Sequence, residues 1–211
     1  MTGVPAAEEP GQRTVIPTDG QIRALHERYA PTLDAFELVY THCEIVCAVA
    51  EQLLAGLGSA VDVGLVRAGC LLHDIGVYRL YDQEGQLDQK NYLRHGVLGD
   101  ALLRELGLPE SLRRFCSHHT GVGISREDVL RQGLPLPAGD YLAETDEERL
   151  VMYADKFHSK TIPPVFVSAA SYAAGVRRFG EDKVARFAAM VDEFGEPDLS
   201  GLSRRYRHPV V

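Results

Sequence analysis

Apolar residues recur along this chain at helical spacing from about residue 18 onward. No stretch keeps the period-two alternation of a strand or carries an Asn-Gly hairpin turn. The pattern predicts a short helix over about 18–29 that stops before Pro31. A long helix follows over about 33–57, with Val39, Val46, Val49 and Leu53 on one face and Gly56 and Gly58 at its end. A third, from Asp62 to Tyr81, is apolar all round in its middle and predicts a central, buried helix. A fourth covers about 91–106 and is ended by Gly107 and Pro109; a fifth covers about 110–119. After the turn "TGVG" comes a short helix near 125–132, then the loop "GLPLPAGDY". Thr145-Asp-Glu-Glu148 reads as a capping box opening a helix that runs to about 159. "TIPP" breaks the chain before two last helices near 167–179 and 181–194. The expected organisation is one all-α domain over 18–195. It lies between a flexible Pro-, Gly-, Ala- and Glu-rich tail, 1–17, and a C-terminal tail, 196–211, that contains the basic run "RRYR".

Several titratable side chains fall on the apolar faces of these helices. His42 shares a face with Val39, Val46, Val49 and Leu53. His95 lies on the stripe of Leu98, Leu102 and Leu106, and His119 on that of Leu112, Phe115 and Cys116, with His118 about 100° round from it. Asp155 sits with Val151 and Met152, and His73-Asp74 stands in the most apolar run of all, "CLLHDIGVY". One such histidine alone is ordinarily satisfied by a carbonyl. Leaving this many to find separate partners would stack several desolvation penalties, whereas one shared divalent centre satisfies them together. Neighbours on a helix diverge by about 100°, so His73 and Asp74 would not approach one ion from the same side. A carboxylate can bridge two ions, and that suits a binuclear site.

Composition narrows the function classes. In 211 residues, 45% apolar and 25% charged content is that of an ordinary globular protein. No apolar run reaches membrane-spanning length, and the N-terminus lacks the basic and apolar regions of a secretory signal, so a cytoplasmic protein that does not enter a membrane is expected. The net charge of −8 argues against duplex nucleic acid as a partner. Cys43, Cys47, Cys70 and Cys116 make no CxxC pair and read as buried thiols.

His42, then His73-Asp74 inside "LLHDIG", then Asp155 in "YADKFHSK", resembles the metal-dependent HD-domain phosphohydrolase superfamily, in its small stand-alone HDIG form. His95 and His118-His119 are similar to the additional ligands of its binuclear members, and the likeness spans about residues 20–160. The resemblance implies an HD-domain-like helical bundle with the metal site between core helices. His42, His73, Asp74 and Asp155 would hold a first ion, with Asp74 bridging to a second held by His95 and by His119, His118 or both; the apolar stripe favours His119. It implies divalent cofactors, two of them, drawn from Fe, Mn, Co, Mg or similar. It also implies hydrolysis of a small phosphorylated substrate, a nucleotide or a metabolite, by a metal-activated water, with Asp74 as the catalytic carboxylate. Arg94, Arg126, Lys156, His158 and Lys160 are candidate substrate contacts. In the HD-GYP branch a Lys follows HDIG and Gly-Tyr-Pro follows the His pair. Here Val77 and "TGVGIS" stand in those places, which argues against cyclic-di-GMP cleavage. The same ligands also fit a mixed-valent di-iron oxygenase, and a metal-holding sensor without catalysis is a third alternative.

Overall fold

The computed structural model describes residues 16–55 and 61–211. Among them are ten α-helices: α1 (Asp19–Tyr29), α2 (Leu33–Leu54), α3 (Val63–Leu72), α4 (His95–Glu105), α5 (Glu110–Ser117), α6 (Arg126–Gln132), α7 (Asp146–Ala154), α8 (Ala169–Val176), α9 (Glu181–Phe194) and α10 (Leu199–Tyr206). Short 3-10 segments occupy Ile75–Leu80, Gln89–Arg94, Asp155–Phe157 and Arg177–Phe179. Two short strands, β1 (His158–Ser159) and β2 (Val165–Phe166), pair antiparallel. The architecture is all-α, as the spacing of apolar positions predicts. No helix among the described residues is long and apolar enough to cross a membrane.

Local chemistry sets the helix starts. Thr18 accepts from Gln21 N while Gln21 answers to Thr18 N, a complete capping box. Thr32 and Asp62 cap α2 and α3 through Ala35 N and Leu65 N. The box expected at Thr145 is only half made. Thr145 accepts from Glu148 N at 3.2 Å, but the Glu148 carboxylate accepts instead from Arg114 Nε at 2.6 Å and from Glu144 N at 2.8 Å. A buried carboxylate near an arginine gains more from that charge-assisted pair than from a neutral cap.

α2 is the central helix: Val39, Cys43, Val46, Val49 and Leu53 are buried, and it packs on α3 and α7. Its expected end at Gly56 and Gly58 lies outside the described residues, as does most of the expected N-terminal tail. α4 packs on α5 and on the Ile75–Leu80 segment.

Three expectations are corrected. The third helix does not run to Tyr81: it ends at Leu72, and Asp74 leaves helical geometry at φ −105°, ψ 6°. The tight segment that follows presses Gly76 against α4, where an added Cβ would lie 2.1 Å from His95 O and 2.2 Å from Gly99 N. Gly96 likewise lies against α5, where an added Cβ would stand 2.6 Å from Cys116 O. A run buried on every side satisfies either backbone, so periodicity alone could not show the break. The helix begun at Asp146 likewise stops short, at Ala154, and β1 holds residues 158–159. Finally, the segment read as a C-terminal tail contains α10 and returns to the domain. Val210 bridges Phe166, Phe166 N donates to Pro209 O at 2.8 Å and Val211 N to Phe166 O at 2.9 Å.

Candidate metal centre

The backbone breaks carry the site. His73 closes α3 through His73 N to Gly69 O, and Asp74 follows at the non-helical step. His95 opens α4, His119 follows the end of α5, and Asp155 follows α7; only His42 sits mid-helix, in α2. Because the chain turns at Asp74, the divergence expected of neighbours on one helix does not arise, and both side chains enter one buried space.

Two sets of atoms converge there. His42 Nε2 lies 2.9 Å from Asp155 Oδ1, 3.2 Å from His73 Nε2 and 3.3 Å from Asp74 Oδ2. On the other side His95 Nε2 and His119 Nε2 are 3.0 Å apart, at 3.4 and 3.5 Å from Asp74 Oδ1. The two Asp74 oxygens thus face different sets. Grouped by mutual reach within 4.8 Å, His42, His73 and Asp155 could hold one ion, and His73, Asp74 and His119 another.

The hydrogen atoms decide what these atoms can bind. His73, His95 and His119 place Nδ1 at 2.7, 2.7 and 2.9 Å from the carbonyls of Cys70, Tyr92 and Phe115. A carbonyl only accepts, so each neutral ring carries its proton on Nδ1 and offers an Nε2 lone pair. Lone pairs and carboxylate oxygens cannot satisfy one another, and buried Asp74 Oδ1 has no hydrogen-bond partner. Donors about 2.1 Å from a common ion stand about 3.0 Å apart at a right angle and about 3.4 Å apart at the tetrahedral angle, which matches the spacings found. The residues present fit a divalent cation.

The local field agrees. Burial alone would raise Asp74, but the Lys160 ammonium and His73 hold its carboxyl well below the usual range. Burial opposes ionisation of Asp155 too and is outweighed by Lys156, His42 and His73. His73 is the exception: with no cation bound, Asp74 pushes it well above the ordinary imidazole range, against burial, so an ion entering here displaces a proton from its Nε2. Burial takes His42 and His95 down to about 4.

A cavity of about 1050 Å³ opens onto Asp74, His95, His119 and Asp155. Of the expected substrate contacts, Lys156, His158 and Lys160 line it. Lys160 Nζ contacts Asp74 Oδ2, while Lys156 Nζ donates to Asp155 Oδ2 at 2.6 Å and His119 O at 3.0 Å. Arg94 and Arg126 do not line it: both are exposed, and Arg126 N is bonded to Asp140 Oδ1. His118 is also not brought into the centre. The chain turns after Ser117, leaving His118 Nδ1 on Ser117 Oγ at 2.7 Å and Nε2 3.3 Å from Arg114 Nη1, while His119 points inward.

Sequence reasoning missed Tyr81, Tyr92 and Tyr172 on the cavity wall, since aromatic residues in helical runs read as core. It also missed His26, buried with Nε2 on Leu71 O and Nδ1 on Tyr78 Oη, both at 2.8 Å. That pairing ties α1 to the two elements flanking His73-Asp74. His208 was missed because it sits in a run that reads as a solvated terminus.

The family model for the HD domain matches residues 39–160, from the turn of α2 before His42 to Lys160. This chain belongs to the HD domain family. Uncharacterized protein MJ0778 of Methanocaldococcus jannaschii is 42% identical over 122 residues, 56% of this chain and 65% of that protein. A tRNA (cytidine(56)-2'-O)-methyltransferase of Picrophilus torridus is 33% identical over 126 residues, 60% of this chain and 33% of that protein. The chain therefore spans less than two thirds of either relative. Among solved structures, the HD domain of the L. monocytogenes phosphodiesterase PgpH aligns with a TM-score of 0.50 at 17% identity, covering 88% of this chain and 98% of that one. Its complex with cyclic-di-AMP gives 0.51 at 16% identity, covering 89% and 98%. At these identities the likeness is one of fold.

Proposed function

We propose that this HD domain hydrolyses a phosphate ester at a binuclear divalent-metal centre. The observation that carries the reading is Asp74: one carboxylate, buried between two sets of converging donors, turns one oxygen to each. His42, His73 and Asp155 complete one side, His95 and His119 the other. When bound, two divalent ions supply a water of lowered pKa and a positive clamp on the phosphoryl group. Two such ions carry about +4, and the carboxylates of Asp74 and Asp155 return about −2, so a cationic pocket arises inside a chain of net charge −8. Lys160 adds to that charge and presents its ammonium in the cavity, where a phosphoryl oxygen would meet it. Lys156 holds the Asp155 carboxylate and the His119 carbonyl in register. The cavity volume and its tyrosines support a nucleotide or a phosphorylated metabolite of similar size as substrate.

The test is metal analysis of the purified protein followed by a phosphate-ester panel with its native metal. The panel includes cyclic-di-AMP, the ligand of the PgpH domain. Cleavage that Asp74→Ala abolishes, together with its bound metal and without loss of helical content, is the expected result. Tightly bound iron with oxygen uptake and no ester cleavage would overturn the hydrolase reading in favour of an oxygenase.

A further inference from the structure

His42 differs from the other imidazoles of the centre in how its far nitrogen is held. Nδ1 of His73, His95 and His119 each meets a carbonyl three or four residues back, a partner that can only accept. His42 Nδ1 instead meets His158 Nδ1 at 2.9 Å. That bond can run either way. If His158 donates, the His42 proton sits on Nε2, aimed at Asp155, and His42 cannot take a cation. If His42 donates, Nε2 is a lone pair facing Asp74, Asp155 and His73.

The chain of imidazoles continues beyond His158, and a ligand role for His42 fixes the direction in which its protons run. His158 is buried, and its Nε2 is 3.0 Å from His208 Nδ1, with the ring planes 22° apart. His208 is itself fixed by backbone. Its carbonyl accepts from Ser203 Oγ at 2.7 Å, and the residues after it are bonded to Phe166 and Ser168. The segment read as a solvated tail thus places an imidazole at the end of a three-histidine chain that begins at the metal centre.

We propose that His208 and His158 are positioning residues for this centre: His208 Nδ1 accepts from His158 Nε2–H, His158 Nδ1 accepts from His42 Nδ1–H, and His42 Nε2 is left as the ligand lone pair. The inference rests on His42 being a ligand, as in the proposed function. It makes the C-terminal segment, some fifty residues beyond Asp155, part of what sets metal affinity.

Two variants test it in the full chain. His208→Phe keeps a ring against Phe166 and removes the acceptor; His208→Asn puts an amide oxygen near the place of Nδ1. Mn²⁺ titration by calorimetry should show the Phe variant weakened about tenfold to a hundredfold, as losing the partner behind a metal-bound histidine typically does, and the Asn variant largely restored. Nitrogen-15 spectra of the Zn²⁺-loaded wild type should show His42 protonated on Nδ1 and His158 on Nε2. Wild-type affinity in His208→Phe, or the opposite tautomers, overturns the proposal while leaving the metal centre standing. Failure of the wild type to bind Mn²⁺ or Zn²⁺ overturns the centre itself and this inference with it. Thermal melts of the metal-free variants identify any weakening due to misfolding. In that case the tautomers of the wild type decide.

Discussion

His95 and His119 meet through their Nε2 atoms at 3.0 Å while each commits its Nδ1 proton to a carbonyl of its own segment. Two lone pairs held that close repel until a cation lies between them and Asp74 Oδ1. Replacing either ring by alanine should therefore remove about one equivalent of bound divalent metal, measured by elemental analysis after gel filtration, and leave the His42 side loaded. His118→Ala should keep the full metal content. Equal losses in His118→Ala and His119→Ala would contradict the assignment of the inward ring.

Gly76 has no room for a methyl group, since a Cβ would stand 2.1 Å from the His95 carbonyl oxygen. The obstacle is backbone and has no rotamer by which to give way. Gly76→Ala should cost about 3 kcal/mol or more, the upper end of overpacking penalties. The denaturant midpoint reads this directly, and a midpoint within error of the wild type would mean that α4 is free to slide.

His26 is fully buried, and burial drives its pKa from 6.5 to about 4 against the opposing bond to Leu71 O. The folded chain keeps this ring neutral where the unfolded chain protonates it. Between pH 6.5 and about 4 the unfolded state binds the extra proton, so this contribution rises with pH. It is complete above about 6.5 and is lost as pH falls toward 4, amounting to about 3 kcal/mol. His26→Gln should flatten the stability profile across that window relative to wild type. Chemical denaturation at half-unit pH steps measures the difference; parallel profiles would exclude His26 as the source.

Lys160 touches Asp74 and faces the cavity, whereas Lys156 is occupied by Asp155 and His119 O. Lys160→Met should retain metal and lower kcat/KM for the ester by about a hundredfold, the usual loss for one donor to a developing charge. Arg94→Ala and Arg126→Ala, at residues exposed away from the cavity, should change kcat/KM by less than about twofold. Steady-state kinetics on one cleaved substrate compares all three.

The helices and the inward direction of His42 were legible because both follow from periodicity within one helix; His95 at the start of α4, and Asp155 and His119 just past the ends of α7 and α5, also face inward, though the last two stand outside the helices whose stripes pointed to them. The backbone break at Asp74 was not legible, because Leu71, Leu72, Ile75 and Val77 are buried whether the chain runs as an α-helix or as a tighter turn. Glu148 had the spacing of a cap and the partner of an ion pair, and spacing carries no information about an arginine 34 positions away. For the same reason nothing in the order of residues joins His208 to His158, fifty positions earlier. Contacts within a helix turn are written in the sequence pattern, while those that close between distant segments depend on the packing.

Gly76 and Gly96 set backbone directly on backbone around His95 and His119, whereas Asp155 stands at the cavity edge with 15% of its side chain open to solvent. The two halves of the centre therefore differ in lability. The cavity reaches both sides, but Asp155 can release an ion by rotating one carboxylate, whereas His95 and His119 stand on backbone that Gly76 and Gly96 pack too closely to give. Exchange under chelator should be biphasic, with the fast half emptied first.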